Sequence, residues 1–399
     1  MGEIVIVGGG LTAARVAQSY RESGGTDRVT LLAGEPHPPY HRPPLTKRLL
    51  RGEAEPPDTL VATSDDFRDL DVELRLETPA ASLDLPSRTV RLGSGRDVAY
   101  ERLVVATGAA PRRLPVPGGE LEGVRTLRTL DDSLALREAA GSARRVVVIG
   151  TGFIGLEVSA SLRARGVEVT IVDAATAPFQ ALGAPDFSAF LAELYRGHGV
   201  ELLLGDGIEG FFGNGKVEVV RTASGRDIEA DLVVVGVGVV PSTAWLEDSG
   251  LELDNGVVVD SRFRASAEDV FAAGDVANFE DPIFGRRRRI EHWSNADYQG
   301  RLLGKVLAGE DVSYDRVSAF FTELFGTVYR FFGDSEGAGR QELEGSFADG
   351  RAIVRYFDGN RLRAALATGL SDVEHEELED RIRHDAIRHD ATEIRSEAA

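Results

Sequence analysis

Hydrophobic residues follow two different rhythms along this chain. Through Leu307 they come as unbroken Val/Ile/Leu runs, each closed by glycine and followed by an amphipathic stretch. IVIVGGGLTAA (Ile4–Ala14) is one such unit and VVVIGTGFIGLE (Val146–Glu157) is another. An apolar run without alternation marks a strand covered on both faces, and a period near 3.6 marks the helix that covers it. Each unit continues into a second apolar strand, VTLLAGE (Val29–Glu35) and VTIVDAA (Val169–Ala175). Each then closes with a hairpin that feeds a fully apolar strand, SGRDVAYERLVVATG (Ser94–Gly108) and SGRDIEADLVVVGVG (Ser224–Gly238). The duplication predicts an α/β protein with two doubly wound, dinucleotide-binding domains. VVVDSRFRASAEDVFAAGD (Val257–Asp275) and a helix over Asn295–Leu307 follow the second copy. From Ser318 the rhythm changes to period two, through FFTELF, YRFFG, RAIVRYFDG and RLRAALATG. That alternation predicts antiparallel strands in a small C-terminal α+β domain. Glu374–Ala399 reads as a mixed-charge helix ending in a fraying tail.

Composition narrows the possibilities. The 399 residues leave room for two or three cores, and 42% hydrophobic with 28% charged residues is ordinary for a soluble globular chain. No apolar run approaches the roughly 20 residues that a bilayer span needs. The chain enters a strand at Glu3, leaving no room for a signal segment, so a cytoplasmic location is expected. Cysteine is absent. That excludes disulfides, thiolate metal sites, an iron–sulfur cluster held by this chain and a redox-active thiol, and no metal site is expected. A net charge of −20 argues against nucleic acid and anionic membranes as partners. An acidic protein could dock only on a local basic patch.

The glycines carry the first chemistry. Gly8, Gly10 and Ala13 form a G-x-G-x-x-A fingerprint between strand and helix. The first glycine makes the tight turn, and the second lets the backbone approach a pyrophosphate resting on the helix N-terminus. Glu35, expected to end the second strand, would accept from ribose hydroxyls. Gly150, Gly152 and Gly155 repeat the device, with Asp173 as the ribose acid. No Lys or Arg follows Asp173 in AATAPFQ, so a 2′-phosphate would be repelled and NADH is favoured over NADPH. Two such sites in one chain suggest one tightly held flavin and one exchangeable nicotinamide.

HRPPLTK (His41–Lys47), the ATG of Ala106, Thr107 and Gly108, and AAGDVAN (Ala272–Asn278) decide between the sites. With these motifs the chain resembles the FAD-dependent pyridine nucleotide reductases, most closely the NADH:ferredoxin reductases that serve oxygenases, with the apoptosis-inducing-factor flavoproteins as close relatives. The resemblance runs from residue 3 to about residue 310 and weakens beyond. It implies a discontinuous FAD-binding domain (residues 1–112 and 240–317), an NAD-binding domain (113–239) and a C-terminal interface domain (318–399). It puts FAD on Gly8, Gly10 and Glu35, with Arg42 at the pyrophosphate, Pro44 beside the ring and Lys47 at flavin N5. Thr46 stands in place of the usual Ser. Glu157 resembles the carboxylate that pairs with that Lys, between flavin and nicotinamide. A cation there stabilises the negative charge that hydride delivery leaves on the ring.

The same resemblance places Asp275 on the flavin ribitol and the Val276 amide at the pyrimidine edge. It sets Glu291, His292 and Trp293 near the ring and nicotinamide, with His292 more readily a satisfied buried histidine than a proton donor. Gly236 and Gly238 would let NADH approach the end of a strand. Phe321 occupies the place where this family carries a Trp, which loosens the identity of the acceptor. Arg286, Arg287, Arg288 and Arg289 form the basic run of an otherwise acidic chain, and are expected to dock an acidic ferredoxin. The expected activity is an NADH-dependent flavoprotein oxidoreductase passing single electrons to a ferredoxin-type iron–sulfur protein for an oxygenase. The alternatives are an NADH oxidase or diaphorase and an apoptosis-inducing-factor-like redox sensor.

Overall fold

The computed structural model describes residues 2–397, with side chains through Ala386. The first apolar repeat builds a five-stranded parallel sheet in the order Val270–Ala272, Arg102–Val105, Glu3–Val7, Arg28–Leu32, Val72–Arg75. The second builds its counterpart in the order Glu201–Leu204, Glu168–Asp173, Arg145–Ile149, Leu232–Val235, Val124–Arg125. Both sheets bury their central strands completely, as the unbroken runs require: Val5, Val104, Val148 and Val234 are each inaccessible to solvent. The predicted hairpins belong to two three-stranded antiparallel sheets, one per unit.

The chain crosses between these units twice. Ala109–Pro111 and Val239–Pro241 run side by side as an antiparallel pair, so the two crossings brace each other. The helix Trp293–Leu307 returns to the first unit and lies against the helix Leu11–Glu22. Gly300 and Gly304 make this possible, since a Cβ at either would fall 2.7 Å or less from Thr12 O, Arg15, Ser19 or Tyr20 N. Ala13, the third fingerprint residue, is fully buried. Its small side chain serves helix packing and does not reach the cavity described below.

From Ala319 the chain forms a five-stranded antiparallel sheet in the order Ala319–Leu324, Thr327–Gly333, Arg361–Thr368, Arg351–Asp358, Arg340–Ser346. The helix Asp372–Glu397 covers it, with Leu378 and Ile382 joining Val317, Phe332 and Ile353 in one apolar cluster. Residues 398 and 399, the end of the expected tail, lie outside the described residues. The edge strand Ala319–Leu324 faces the two dinucleotide units, and its placement completes the site. Among the described residues no helix is long and apolar enough to cross a membrane, and no cluster of three His, Cys, Asp or Glu could hold a metal.

Candidate active site

A cavity of about 560 Å³ is lined by all three units, within the range of roughly 300–1,000 Å³ typical of small-molecule and cofactor sites. One wall is the first glycine turn. Gly8 has φ +137°, and a Cβ there would lie 2.1 Å from Ala106 O, so only glycine lets the strand end meet Ala106 and Thr107. Gly10 caps the helix Leu11–Glu22 without any side-chain partner, and a Cβ there would meet nothing within 4 Å. The unpaired N–H end of that helix therefore opens on free space, where an anion is stabilised. Ala106, Thr107 and Gly108 form the neighbouring wall, and Thr107 Oγ1 holds the crossing segment by donating to Ser242 O at 2.9 Å.

Charged side chains converge beside this turn. Glu35 lies in the loop beyond the strand Arg28–Leu32, not at the strand end as expected from the sequence. Its carboxylate accepts from Tyr40 Oη at 2.5 Å and from Arg42 Nη2 at 3.1 Å. Arg42 also donates to Arg128 O, and Arg128 Nη2 donates to Asp275 Oδ2 at 2.9 Å. Burial, and then the nearby Arg42 charge, hold the Arg128 guanidinium below its usual range. Two half-buried guanidiniums flanking a bare helix N-terminus fit the diphosphate of a dinucleotide, and the two carboxylates fit its hydroxyls. Val276, by contrast, is fully buried outside the cavity, and its carbonyl accepts from Val257 N at 2.9 Å.

The HRPPLTK run folds as a 3₁₀ turn, Pro43–Thr46, leading into the short helix Arg48–Arg51. Pro43 lines the cavity, and Pro44 does not, which corrects the sequence expectation by one residue. Lys47 Nζ lies 2.5 Å from Glu157 Oε2, with side chains 9% and 6% exposed. Thr46 Oγ1 donates to the same oxygen at 2.5 Å, and Thr322 Oγ1 donates to Glu157 Oε1 at 2.8 Å. His292 caps the helix Trp293–Leu307, and its Nε2 sits 3.0 Å from Phe321 N and 3.1 Å from Phe321 O. Burial pushes its pKa down to about 4, so the ring is neutral at pH 7. Trp293 Nε1 donates to His41 Nδ1 at 2.9 Å, and burial lowers the His41 pKa, keeping that nitrogen an acceptor. Burial raises the Glu291 carboxyl, with Arg289 opposing it.

The second glycine turn supplies the opposite wall. Gly152 caps the helix Phe153–Ala164, again with no side-chain partner. Gly152, Phe153, Glu157, Gly236 and Gly238 reach the cavity, whereas Gly150 and Gly155 shape the turn behind it. A Cβ on Gly155 would lie 2.0 Å from Gly150 O, so glycine lets the helix press onto its own turn. Asp173 ends its strand as predicted, but it lies outside the cavity. It accepts from Thr151 N (2.6 Å), Thr151 Oγ1 (2.5 Å) and Ala175 N (2.9 Å), bracing the glycine turn.

Residues 2–300, three quarters of the chain, match the sequence family described as pyridine nucleotide-disulphide oxidoreductase. The chain belongs to that family. It is 35% identical over 366 residues to the ferredoxin–NAD(+) reductase subunit of the benzene 1,2-dioxygenase system of Pseudomonas putida, covering 91% of this chain and 88% of that one. Rhodocoxin reductase of Rhodococcus erythropolis is 35% identical over 360 residues, with 90% and 84% covered. Among solved structures, the covalent putidaredoxin reductase–putidaredoxin complex superposes with a TM-score of 0.93 at 32% identity, covering 96% of this chain and 93% of that one. The family name includes disulphide chemistry, which a chain without cysteine cannot perform.

The basic run is where the structure departs furthest from the sequence reading. Arg286–Arg288 is a strand, and Arg286, Arg288 and the following Arg289 all pair with carboxylates of this chain. Arg286 holds Asp334 through two bonds of 2.7 and 2.9 Å and also meets Glu336. Arg288 holds the fully buried Asp281 at 2.9 Å, with Asp334 3.8 Å away. Arg289 pairs with Glu291 and donates to Asp275 O. Arg287 is exposed and donates to the carbonyls of Val259 and Asn278. The run is an ionic joint between the first unit and the C-terminal sheet, not a free positive patch.

Sequence reading also missed Tyr40, Arg128 and Thr322. A signal existed for Arg128, which directly precedes the capping box Thr129–Asp132 and so sits at a helix start. Tyr40 lies only five residues from its partner Glu35 but matches no motif, and Thr322 carried no local signal because its partner Glu157 comes from a distant segment.

Proposed function

We propose that this chain is an FAD-dependent reductase that takes hydride from NADH and passes single electrons to a ferredoxin-type iron–sulfur protein serving an oxygenase. The observation that carries this reading is the buried Lys47–Glu157 pair at the meeting of two dinucleotide-type glycine turns in one cavity. Gly8, Gly10, Glu35, Arg42, Arg128 and Asp275 hold FAD. Gly152, Gly236 and Gly238 admit the nicotinamide, with Asp173 bracing the turn at Gly152 and disfavouring a 2′-phosphate. Residues 1–112 with 240–317 form the FAD unit, 113–239 the NAD unit and 318–399 the interface unit.

When bound, FAD supplies the conversion of a two-electron donor into a source of single electrons. Lys47 Nζ presents a fixed positive charge at the cavity wall, and Glu157 holds it there. Phe153, Trp293 and Phe321 line the same region and exclude water, which strengthens these electrostatic contacts. His292 stays neutral and positions Phe321, without moving a proton. The ferredoxin–NAD(+) reductase components of dioxygenase systems among its relatives support the choice of acceptor. In the basic run, Arg287 is the guanidinium left to contribute to docking, since its three neighbours hold carboxylates of this chain.

NADH-driven turnover with a [2Fe–2S] ferredoxin, with oxygen and with ferricyanide tests the reading. Ferredoxin should support turnover far above that with oxygen alone. Equal turnover with oxygen would favour an NADH oxidase, and a long-lived reduced protein–NAD complex would favour a redox sensor.

A further inference from the structure

The pair of Lys47 and Glu157 is completed by a residue from the third unit. Glu157 sits in the helix that follows the second glycine turn, and both of its carboxylate oxygens are occupied. Oε2 faces Lys47 Nζ and Thr46 Oγ1, each at 2.5 Å. Oε1 accepts from Thr322 Oγ1 at 2.8 Å, the one hydrogen bond it receives among the described residues. Thr322 is 4% exposed and lies on the edge strand Ala319–Leu324. Neighbours on both sides pin that strand in register. Phe321 bonds to His292 through its main chain, Ala319 O accepts from Ser294 Oγ, and Glu323 lies 3.8 Å from Arg51.

We propose that Thr322 is a positioning residue for reduction: its hydroxyl holds the Glu157 carboxylate turned toward Lys47, so the charge pair is complete only when the C-terminal sheet is docked. The inference rests on the role given above to Lys47 and Glu157. Its physical basis is that hydrogen bonds to charged acceptors are the strong class, and a buried carboxylate oxygen without a donor disfavours the ionised form. Removing the hydroxyl would leave Oε1 without its donor and let the carboxylate rotate away from Lys47. The cation at the cavity wall would then lose its fixed place.

Lys47 is the one charged group in direct contact with Glu157 among the described residues. Tyr195, from the helix Pro185–Gly197, is turned elsewhere and donates to Leu156 O.

The test uses the FAD-loaded full chain and its Thr322→Val, Thr322→Ser and Glu157→Gln variants. Stopped-flow bleaching by NADH is followed at pH 7, with FAD content measured in parallel. Thr322→Val should retain FAD and slow bleaching about ten-fold, equivalent to about 1.4 kcal/mol. Thr322→Ser restores the hydroxyl, so its rate should lie within about two-fold of the parent. A parent-like rate in Thr322→Val would overturn the proposal, as would equal impairment of Val and Ser, which would assign Thr322 to packing. Slow bleaching in Glu157→Gln together with a parent-like Thr322→Val would overturn this inference alone. Parent-like bleaching in Glu157→Gln would overturn the reading of the pair beneath it.

Discussion

Replacing Arg288 by Met should weaken the molecule itself rather than its encounter with a partner. Arg288 is 12% exposed and Asp281 0%, with 2.9 Å between them. At an effective dielectric of about 20, unit charges at that distance attract by roughly 6 kcal/mol, and the more distant Asp334 adds to this. Arg288→Met also removes the desolvation of the guanidinium itself, which offsets part of the loss. What remains is a carboxylate buried without its cation, a change that costs about 3 kcal/mol or more. The pH dependence has a definite sign. Burial already raises the Asp281 pKa against the pull of Arg288, and losing Arg288 raises it further. A carboxyl whose folded pKa lies above its unfolded value favours folding below the unfolded pKa and loses that contribution as pH rises. The deficit in Arg288→Met should therefore be full at pH 8 and shrink toward pH 5. Urea unfolding followed by circular dichroism at both pH values measures it, and Asp281→Asn/Arg288→Met should recover at least half of the loss. A variant with parental stability at pH 8, impaired only toward ferredoxin, would refute the ionic joint and restore the docking patch.

Other outcomes follow from the site. Lys47→Ala should keep its FAD, because the diphosphate and ribose contacts lie elsewhere, while stopped-flow bleaching by NADH slows at least ten-fold; parental bleaching would return Lys47 to a structural role. Asp173→Ser should narrow the preference for NADH over NADPH in kcat/KM, with about 4 kcal/mol (unit charges 4 Å apart, dielectric about 20) as an upper guide. Because Asp173 braces Thr151, that variant should also raise KM for NADH. His41 should stay neutral to below the ordinary histidine range, so the Trp293 fluorescence of an apoprotein carrying Trp245→Phe should be flat above pH 6.5 and change only at lower pH. A transition centred at or above pH 6.5 would mean that His41 does not accept from Trp293.

Much of this architecture was legible because its signals are local. Unbroken Val runs such as Val146–Ile149 can only be strands covered on both faces, and the glycine turns declare themselves by spacing. Lys47 and Glu157 entered through motif resemblance, and the structure places them 2.5 Å apart. What stayed hidden depends on rotation about an element or on distant partners. In a 3₁₀ turn successive side chains diverge by about 120°, so the sequence cannot say whether Pro43 or Pro44 faces the cavity. Arg288 reads as a solvated charge until Asp334 arrives from the third unit. Thr322 is one hydroxyl in an aromatic strand until it meets a carboxylate 165 residues away. Asp173 has the position of a ribose acid, and only the folded turn shows its oxygens already receiving Thr151 and Ala175.

The proposed function requires this cavity to carry electrons from NADH to an iron–sulfur protein. Its most direct test is an anaerobic stopped-flow experiment on the purified protein, mixing it with NADH and an excess of oxidised [2Fe–2S] ferredoxin while following flavin and cluster absorbance together. A yellow protein should bleach first, and cluster reduction should follow with two ferredoxins reduced per NADH. A protein that binds no FAD even on reconstitution, or one whose bleaching leaves every ferredoxin tried oxidised, would contradict the account.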